Sequence, residues 1–321
     1  MSAYKSNGTR VACSPYSSLT TLLTIRRPFV ASLAGVLLGI LPAAAGEPKG
    51  ERVVANPTLT NISGALVIVG GGKMPDTIRD CFLQLAHGKD GHLVVIPTAS
   101  EFEDRRLISY EYWQKQGLKT VTVLHTLDPK KADDPVFVKP LTEATAAWLS
   151  GGDQSRLAKA YRGTLVEREL RNLLKRGGVV GGTSAGASVM SNVMIAGGNP
   201  QAHVGEGFGF LPDVVIDQHF ENRKRQKRLL GVLEKHPHCL GLGIDEQTAV
   251  IVRSGYQFKV LGDANVVICM PPTVHGEAKP QVLKDGDGGD LFQLHKDVLS
   301  RLKVVNDSKT TVSKVGRATT P

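Results

Sequence analysis

The chain has 321 residues, 41% of them hydrophobic, and carries 39 Lys and Arg against 30 Asp and Glu, a formal charge of +9. That length and apolar content suit one large or two small domains around a substantial core and exclude a wholly disordered chain. Residues 1–45 contain Lys5, Arg10, Arg26 and Arg27 and no acid, so the remainder is only mildly basic, which does not by itself argue for nucleic acid.

The N-terminus reads as a targeting segment. Arg26-Arg27 precede an apolar run from Phe29 to Leu41, followed by Pro42 and Ala43-Ala44-Ala45. This predicts an export signal peptide over residues 1–45, cut after Ala45. Arg26-Arg27-Pro28-Phe29-Val30 resembles a twin-arginine signal, with the Sec route as the alternative. The apolar run is short for a membrane span, so no stable insertion is expected after signal removal. The mature protein is then exported, periplasmic or extracellular. It keeps Cys81, Cys239 and Cys269, an odd number that argues for small core residues rather than a disulfide scaffold.

Residues 46–62 read as a polar linker. A catalytic domain is expected over 63–270, with an arm and tail over 271–321. The run Ala65-Leu66-Val67-Ile68-Val69 has the character of a strand buried on both faces. Gly70-Gly71-Gly72 ends it, and Pro75-Asp76 opens a helix with Ile78 and Phe82 on one face. A strand from Leu93 to Ile96, a helix around 104–116 and a strand from Thr120 to Leu124 follow. The alternation predicts an α/β fold in three layers, a largely parallel sheet flanked by helices. A charged loop is expected around Asp128 to Pro135. Strands are expected at Val214–Ile216 and Cys239–Ile244, then antiparallel strands at Ala249–Val252, Gln257–Leu261 and Val266–Cys269. The glycine-rich stretch 197–209 reads as a mobile loop.

The chemistry centres on Gly182-Thr183-Ser184-Ala185-Gly186, between Val179-Val180 and the start of a helix. This is the G-x-S-x-G pattern of a nucleophile elbow in its expected strand-to-helix context. A glycine-rich turn that binds phosphate or merely packs is the plainer reading. The turn Gly151-Gly152-Asp153-Gln154 also leads into a helix. In an open parallel sheet both turns fall at the carboxyl ends of strands, where ligands bind. An N–H of Gly152 or Asp153 is a candidate oxyanion donor with that of Ala185, and Gln154 a candidate substrate contact. A serine nucleophile needs a base and an orienting carboxylate. His219 follows one strand end, and Asp245 and Glu246 follow another. Arg223, Arg225 and Arg228 lie just beyond His219, and arginine forks pair well with carboxylates. No His-Glu-x-x-His or paired-cysteine pattern supports metal hydrolysis, so no metal is expected. Gly70-Gly71-Gly72 does not fit a dinucleotide fingerprint, because its third glycine position is Pro75, and no cofactor is expected.

Taken together, Gly-Gly-Asp-Gln (151–154), Gly-Thr-Ser-Ala-Gly-Ala (182–187), Asp-Gln-His-Phe-x-x-Arg-x-Arg-x-x-Arg (217–228) and Gly-Ile-Asp-Glu (243–246) closely resemble the cyanophycinases. These are serine peptidases of family S51, related in fold to aspartyl dipeptidase and class I glutamine amidotransferases. The resemblance covers roughly residues 64–270 and takes in Val95 to Ser100. It implies hydrolysis of cyanophycin, a polyaspartate with arginine on each side-chain carboxyl, to β-Asp-Arg dipeptides. It further implies Ser184 as nucleophile, His219 as base and Glu246 as orienting acid. Gln154, Asp217, Gln218, Arg223, Arg225 and Arg228 would bind substrate. No cofactor and no nucleic acid are implied, and related enzymes suggest a homodimer. The loop Gly71 to Asp76 is not the acidic loop expected of this family, which leaves small aspartyl or β-aspartyl peptides as an alternative substrate. A non-catalytic exported binding protein is a third reading.

Overall fold

The structure, a computed structural model, describes residues 63–302 other than 254, 255, 274, 275 and 277. The expected export signal, the linker up to residue 62 and the tail beyond 302 lie outside the described residues.

Five parallel strands form one side of an eight-stranded sheet: β1 (Ala65–Val69), β2 (His92–Ile96), β3 (Thr120–Val123), β4 (Ala146–Leu149) and β5 (Val179–Thr183). Their order is β1-β5-β4-β2-β3. On the other side of β1 the sheet continues antiparallel through β10 (Thr248–Val252), β11 (Gln257–Gly262) and β14 (Gly288–Asp290). Strands covered on both faces need apolar residues at consecutive positions, as the run Ala65 to Val69 shows. One face packs a tight aromatic group: Phe82 of α1 (Asp76–Leu85), Trp113 of α2 (Glu103–Gln114) and Trp148 of β4, with centroids 4.7 to 4.9 Å apart. The opposite face, through Leu66, Ile68, Val94, Ile96 and Val180, joins a core shared with α5 (Gln154–Tyr161) and α6 (Leu165–Lys175). Helices therefore cover both faces, and the fold is the expected three-layer α/β arrangement with a mostly parallel sheet.

A second sheet runs β13-β12-β9-β8, from β8 (Val214–Gln218), β9 (Leu240–Ile244), β12 (Val266–Cys269) and β13 (Gln281–Leu283). β8 and β9 are parallel, joined by α8 (Gln226–Lys235), so their carboxyl ends lie side by side. A hairpin of β6 (Val193–Gly197) and β7 (His203–Glu206) precedes β8. Among the described residues no helix is long and apolar enough to cross a membrane.

Four segments differ from the sequence expectation. The charged loop holds two helices, α3 (Pro129–Ala132) and α4 (Pro135–Glu143). Each starts with Asp-Pro: Asp128 and Asp134 cap by accepting from Lys130 N and Val136 N, and proline sits at the first helical position. The strongly amphipathic α6 was also unanticipated. The glycine-rich stretch is a paired hairpin whose exit buries Phe208 and Phe210 in the core. Finally, much of the arm is built in: β13 and β14 extend the two sheets, and a helix over residues 291–302 buries Leu291 and Val298. Cys81, Cys239 and Cys269 are all buried, and Cys239 and Cys269 are free thiols.

Candidate active site

Ser184 stands between β5 and the short helix α7 (Ala185–Ser188), with φ 53° and ψ −110°. A non-glycine residue in such a region costs on the order of 1–3 kcal/mol, and the surroundings must hold it there. The Ser184 N–H donates to Val69 O at 3.0 Å, while its carbonyl accepts from Ala187 and Ser188. The side chain makes no helix-capping bond. Ser184 Oγ instead lies 2.9 Å from His219 Nε2.

His219 immediately follows β8 and is left-handed as well, with φ 49°. Its N–H donates to Gly70 O at 2.9 Å. On the far side of the ring, Nδ1 is 2.5 Å from Glu246 Oε1, just past the end of β9. Three strand ends, from both sheets, thus bring Ser184, His219 and Glu246 into one hydrogen-bonded line. Asp245, the other candidate acid, is turned away and accepts from Asn222 N at 3.2 Å. Burial lowers the His219 pKa below its ordinary value, with Arg223 and Arg225 acting the same way and Glu246 opposing them. The ring is therefore neutral at neutral pH, the form able to accept a proton from a serine hydroxyl.

The loop after β1 completes this arrangement. Gly71 has φ 123°, and a Cβ there would stand 2.2 Å from His219 Cε1. Gly72, with φ 72°, lies against Glu246, a Cβ there falling 3.0 Å from Glu246 Cβ. The Gly71 carbonyl accepts from Gln247 N at 2.9 Å. The backbone thus lies directly over the imidazole and carboxylate, an approach that only glycine permits.

The Gly151-Gly152 turn borders Ser184 from the other side: a Cβ on Gly151 would lie 3.5 Å from Ser184 Cβ. Among the described residues the N–H groups of Gly152 and Ala185 have no protein acceptor. Asp153 differs from the expectation. Its N–H donates to Ala99 O at 2.9 Å, and its carboxylate caps α5 by accepting from Ser155 N. The oxyanion candidates therefore reduce to Ala185 and Gly152.

The predicted substrate contacts behave differently from one another. Gln154 is buried, and its Nε2 donates to Ile195 O and Ala196 O, which ties the β6–β7 hairpin to α5. Asp217 has no exposed side-chain surface; it takes a bidentate fork from Arg228 through Nε and Nη2 and lies 3.6 Å from Arg225 Nη1. Arg228 Nη1 also donates to Gly198 O at 2.6 Å. Arg225 Nη1 donates to Gln218 O and, at 3.1 Å, to Gln218 Oε1, which in turn lies 3.5 Å from Ser184 Oγ. Burial pushes the Asp217 carboxyl up, and the two guanidinium groups oppose it. Burial and the neighbouring cations Arg228 and Arg223 lower Arg225 to about 10. Asp217, Arg225 and Arg228 thus form an internal ionic network beneath the site, and the expectation that all three face substrate does not describe this conformation. Arg223 alone of the three arginines is exposed.

A family model for peptidase family S51 matches residues 66–260, spanning every residue of this site. The chain belongs to peptidase family S51. It is 33% identical over 234 residues to a cyanophycinase of Geminocystis herdmanii, covering 67% of this chain and 85% of the relative. It is 35% identical over 225 residues to one of Synechococcus elongatus, covering 66% and 69%. Among solved structures, a peptidase from an acI-B1 Actinobacterium superposes with a TM-score of 0.57 at 27% identity, covering 72% of this chain and 98% of that one.

As an S51 peptidase this chain is a serine-type hydrolase. The residues that sequence reasoning missed are Gly71 and Gly72. The signal is the triple glycine directly after the first strand, which reads in sequence as a strand end that fits neither a nucleotide fingerprint nor the family's acidic loop. The role of Ala99 in holding the Gly152 turn was equally hidden, since a backbone carbonyl leaves no mark on a side-chain pattern.

Proposed function

We propose that this S51 peptidase hydrolyses cyanophycin to β-Asp-Arg dipeptides by a Ser-His-Glu acyl-enzyme mechanism. The observation that carries the mechanism is the line from Ser184 Oγ through His219 to Glu246, at 2.9 and 2.5 Å. The substrate is supported by 32–35% identity to five cyanophycinases. Ser184 Oγ attacks the backbone carbonyl carbon, and its proton passes to His219 Nε2. Glu246 holds the Nδ1–H tautomer and stabilises the imidazolium. The Ala185 and Gly152 N–H groups donate to the developing oxyanion. His219 then returns the proton to the leaving amine, the C–N bond breaks, and a water molecule activated by His219 releases the acyl group from Ser184.

A second reading has a specific observation behind it. Arg225 and Arg228 are committed to Asp217 and Gln218, so fewer cations face the substrate than the sequence implied, and a small aspartyl or β-aspartyl peptide needs fewer. Hydrolysis rates on a panel containing insoluble cyanophycin and aspartyl dipeptides separate the two. Cyanophycin clearance with little dipeptide turnover supports the first, and the reverse supports the second. Labelling by a fluorophosphonate probe, lost in Ser184→Ala, is expected under both readings; a wild-type protein that does not label argues for a binding protein. We also propose export directed by residues 1–45, which cell fractionation tests: the protein should appear outside the cytoplasm, shortened at Ala45.

A further inference from the structure

At the opposite end of the second sheet from the triad, three segments converge. Asp213 immediately precedes β8, with φ 59°. His238 and Cys239 immediately precede β9. The C-terminal helix over residues 291–302 supplies His295. Metal-binding atoms of Asp213, His238 and Cys239 all lie within 4.8 Å of one another. His238 Nε2 is 4.0 Å from Asp213 Oδ1, and His295 Nε2 is 3.8 Å from Asp213 Oδ2. Around tetrahedral zinc, ligand atoms stand about 3.3–3.8 Å apart, so side-chain adjustments of about 1 Å close this set.

We infer that Asp213, His238 and Cys239 form a structural binding site for a zinc-like divalent transition ion. The donor set decides the class of ion. A thiolate and an imidazole suit zinc or cobalt, whereas calcium and magnesium take oxygen donors. On binding, Cys239 loses its thiol proton to solvent and Sγ becomes a ligand. His238 is half-exposed, which gives the ion an entry path and leaves one position for water. His295 acts beside the ligands: it is buried, faces Asp213, and its Nε2 meets the His238 carbonyl at 2.9 Å. Bracing of this kind orients ligands in metal sites. The Tyr256 hydroxyl, buried without a hydrogen-bond partner among the described residues, feels the Asp213 carboxylate.

The placement gives the ion a mechanical role. Asp213 and Cys239 sit at the starts of the parallel strands β8 and β9, whose far ends carry His219 and Glu246, and the Leu240 N–H already donates to Asp213 O at 2.8 Å. A bound ion fixes the two strand starts and docks the C-terminal helix. It lies a strand length, about 17 Å, from the far ends of β8 and β9 that carry His219 and Glu246, so it takes no part in the peptidase chemistry. No sequence motif announces the site because its members come from separate segments and only His238 and Cys239 are adjacent.

The test is Co²⁺ titration of the tag-free, chelator-stripped full chain, with Zn²⁺ used for melting. The wild type should develop a thiolate-to-cobalt charge-transfer band in the near ultraviolet, and Zn²⁺ should raise its Tm. Cys239→Ser should abolish the band, and His238→Ala should weaken Co²⁺ binding at least tenfold. Ser184→Ala should bind as the wild type does. His238 is at the surface, so its alanine variant remains informative if Cys239→Ser fails to fold. A wild type with no charge-transfer band, a band that persists in Cys239→Ser, or unchanged binding in His238→Ala would each overturn the site.

Discussion

Ser184 and His219 both hold left-handed backbone conformations, at φ 53° and 49°, at strand ends of two different sheets, and their side chains meet at 2.9 Å. Neither conformation is favourable alone. Each is held by a hydrogen bond to β1 or the residue after it, Ser184 N to Val69 O and His219 N to Gly70 O. The end of β1 is therefore the element that sets the distance between Ser184 and His219.

The loop that follows β1 should be intolerant of side chains. In Gly71→Ala the new methyl would overlap the His219 ring, at a φ that alanine rarely adopts. A displacement of about 1 Å of a catalytic group can cost on the order of 100-fold. We expect kcat/KM to fall at least that far, with Tm lowered by only about a few degrees and circular dichroism unchanged. Near-normal turnover in Gly71→Ala would show that the loop does not govern His219.

Glu246 and Asp245 are adjacent in sequence but differ in position. Glu246→Gln removes the carboxylate that accepts from His219 Nδ1 and allows the wrong tautomer, which in a comparable triad costs about 10⁴-fold in kcat. Asp245→Asn alters only a bond to the Asn222 N–H and should change kcat less than about tenfold. Steady-state kinetics on the two variants checks the assignment, and comparable losses would refute it.

The pH profile follows from the neutral base. Activity should fall as pH drops through the His219 pKa, and burial places that limb below the ordinary histidine value of about 6.5. Arg223 is an exposed cation that pushes the same pKa down. Arg223→Gln should move the acid limb of kcat/KM to higher pH, and high salt should move the wild-type limb in the same direction by screening. A shift toward lower pH in Arg223→Gln would contradict this electrostatic account.

The buried ionic network should matter for stability. Asp217→Ala leaves Arg225 and Arg228 facing each other without their anion, and breaking such a pair costs about 3–5 kcal/mol. Arg228→Lys should not restore full stability, because an ammonium cannot reproduce the fork onto both Asp217 oxygens. Urea denaturation measures both. A loss under about 1 kcal/mol in Asp217→Ala would mean that the carboxylate is not the partner of these arginines.

The parallel core, the elbow and the order of the strand ends were legible because continuous apolar runs and glycine turns are local signals. The pairing of Ser184 with His219 was not local; it came through the resemblance of several spaced motifs. The helices at Pro129 and Pro135 were missed because two Asp-Pro caps in a charged segment read as a loop. The inward turn of Asp217, Arg225 and Arg228 was hidden for another reason. Charged residues beside a catalytic histidine look like substrate contacts until their burial is known.

The most direct measurement is release of β-Asp-Arg from insoluble cyanophycin by residues 46–321, with Ser184→Ala assayed in parallel. The account predicts dipeptide release by the wild type and a loss of at least about 10⁴-fold in the variant. Release at similar rates by both proteins would contradict Ser184 as nucleophile. No release by a wild-type protein that still reacts with a serine probe would contradict cyanophycin as the substrate.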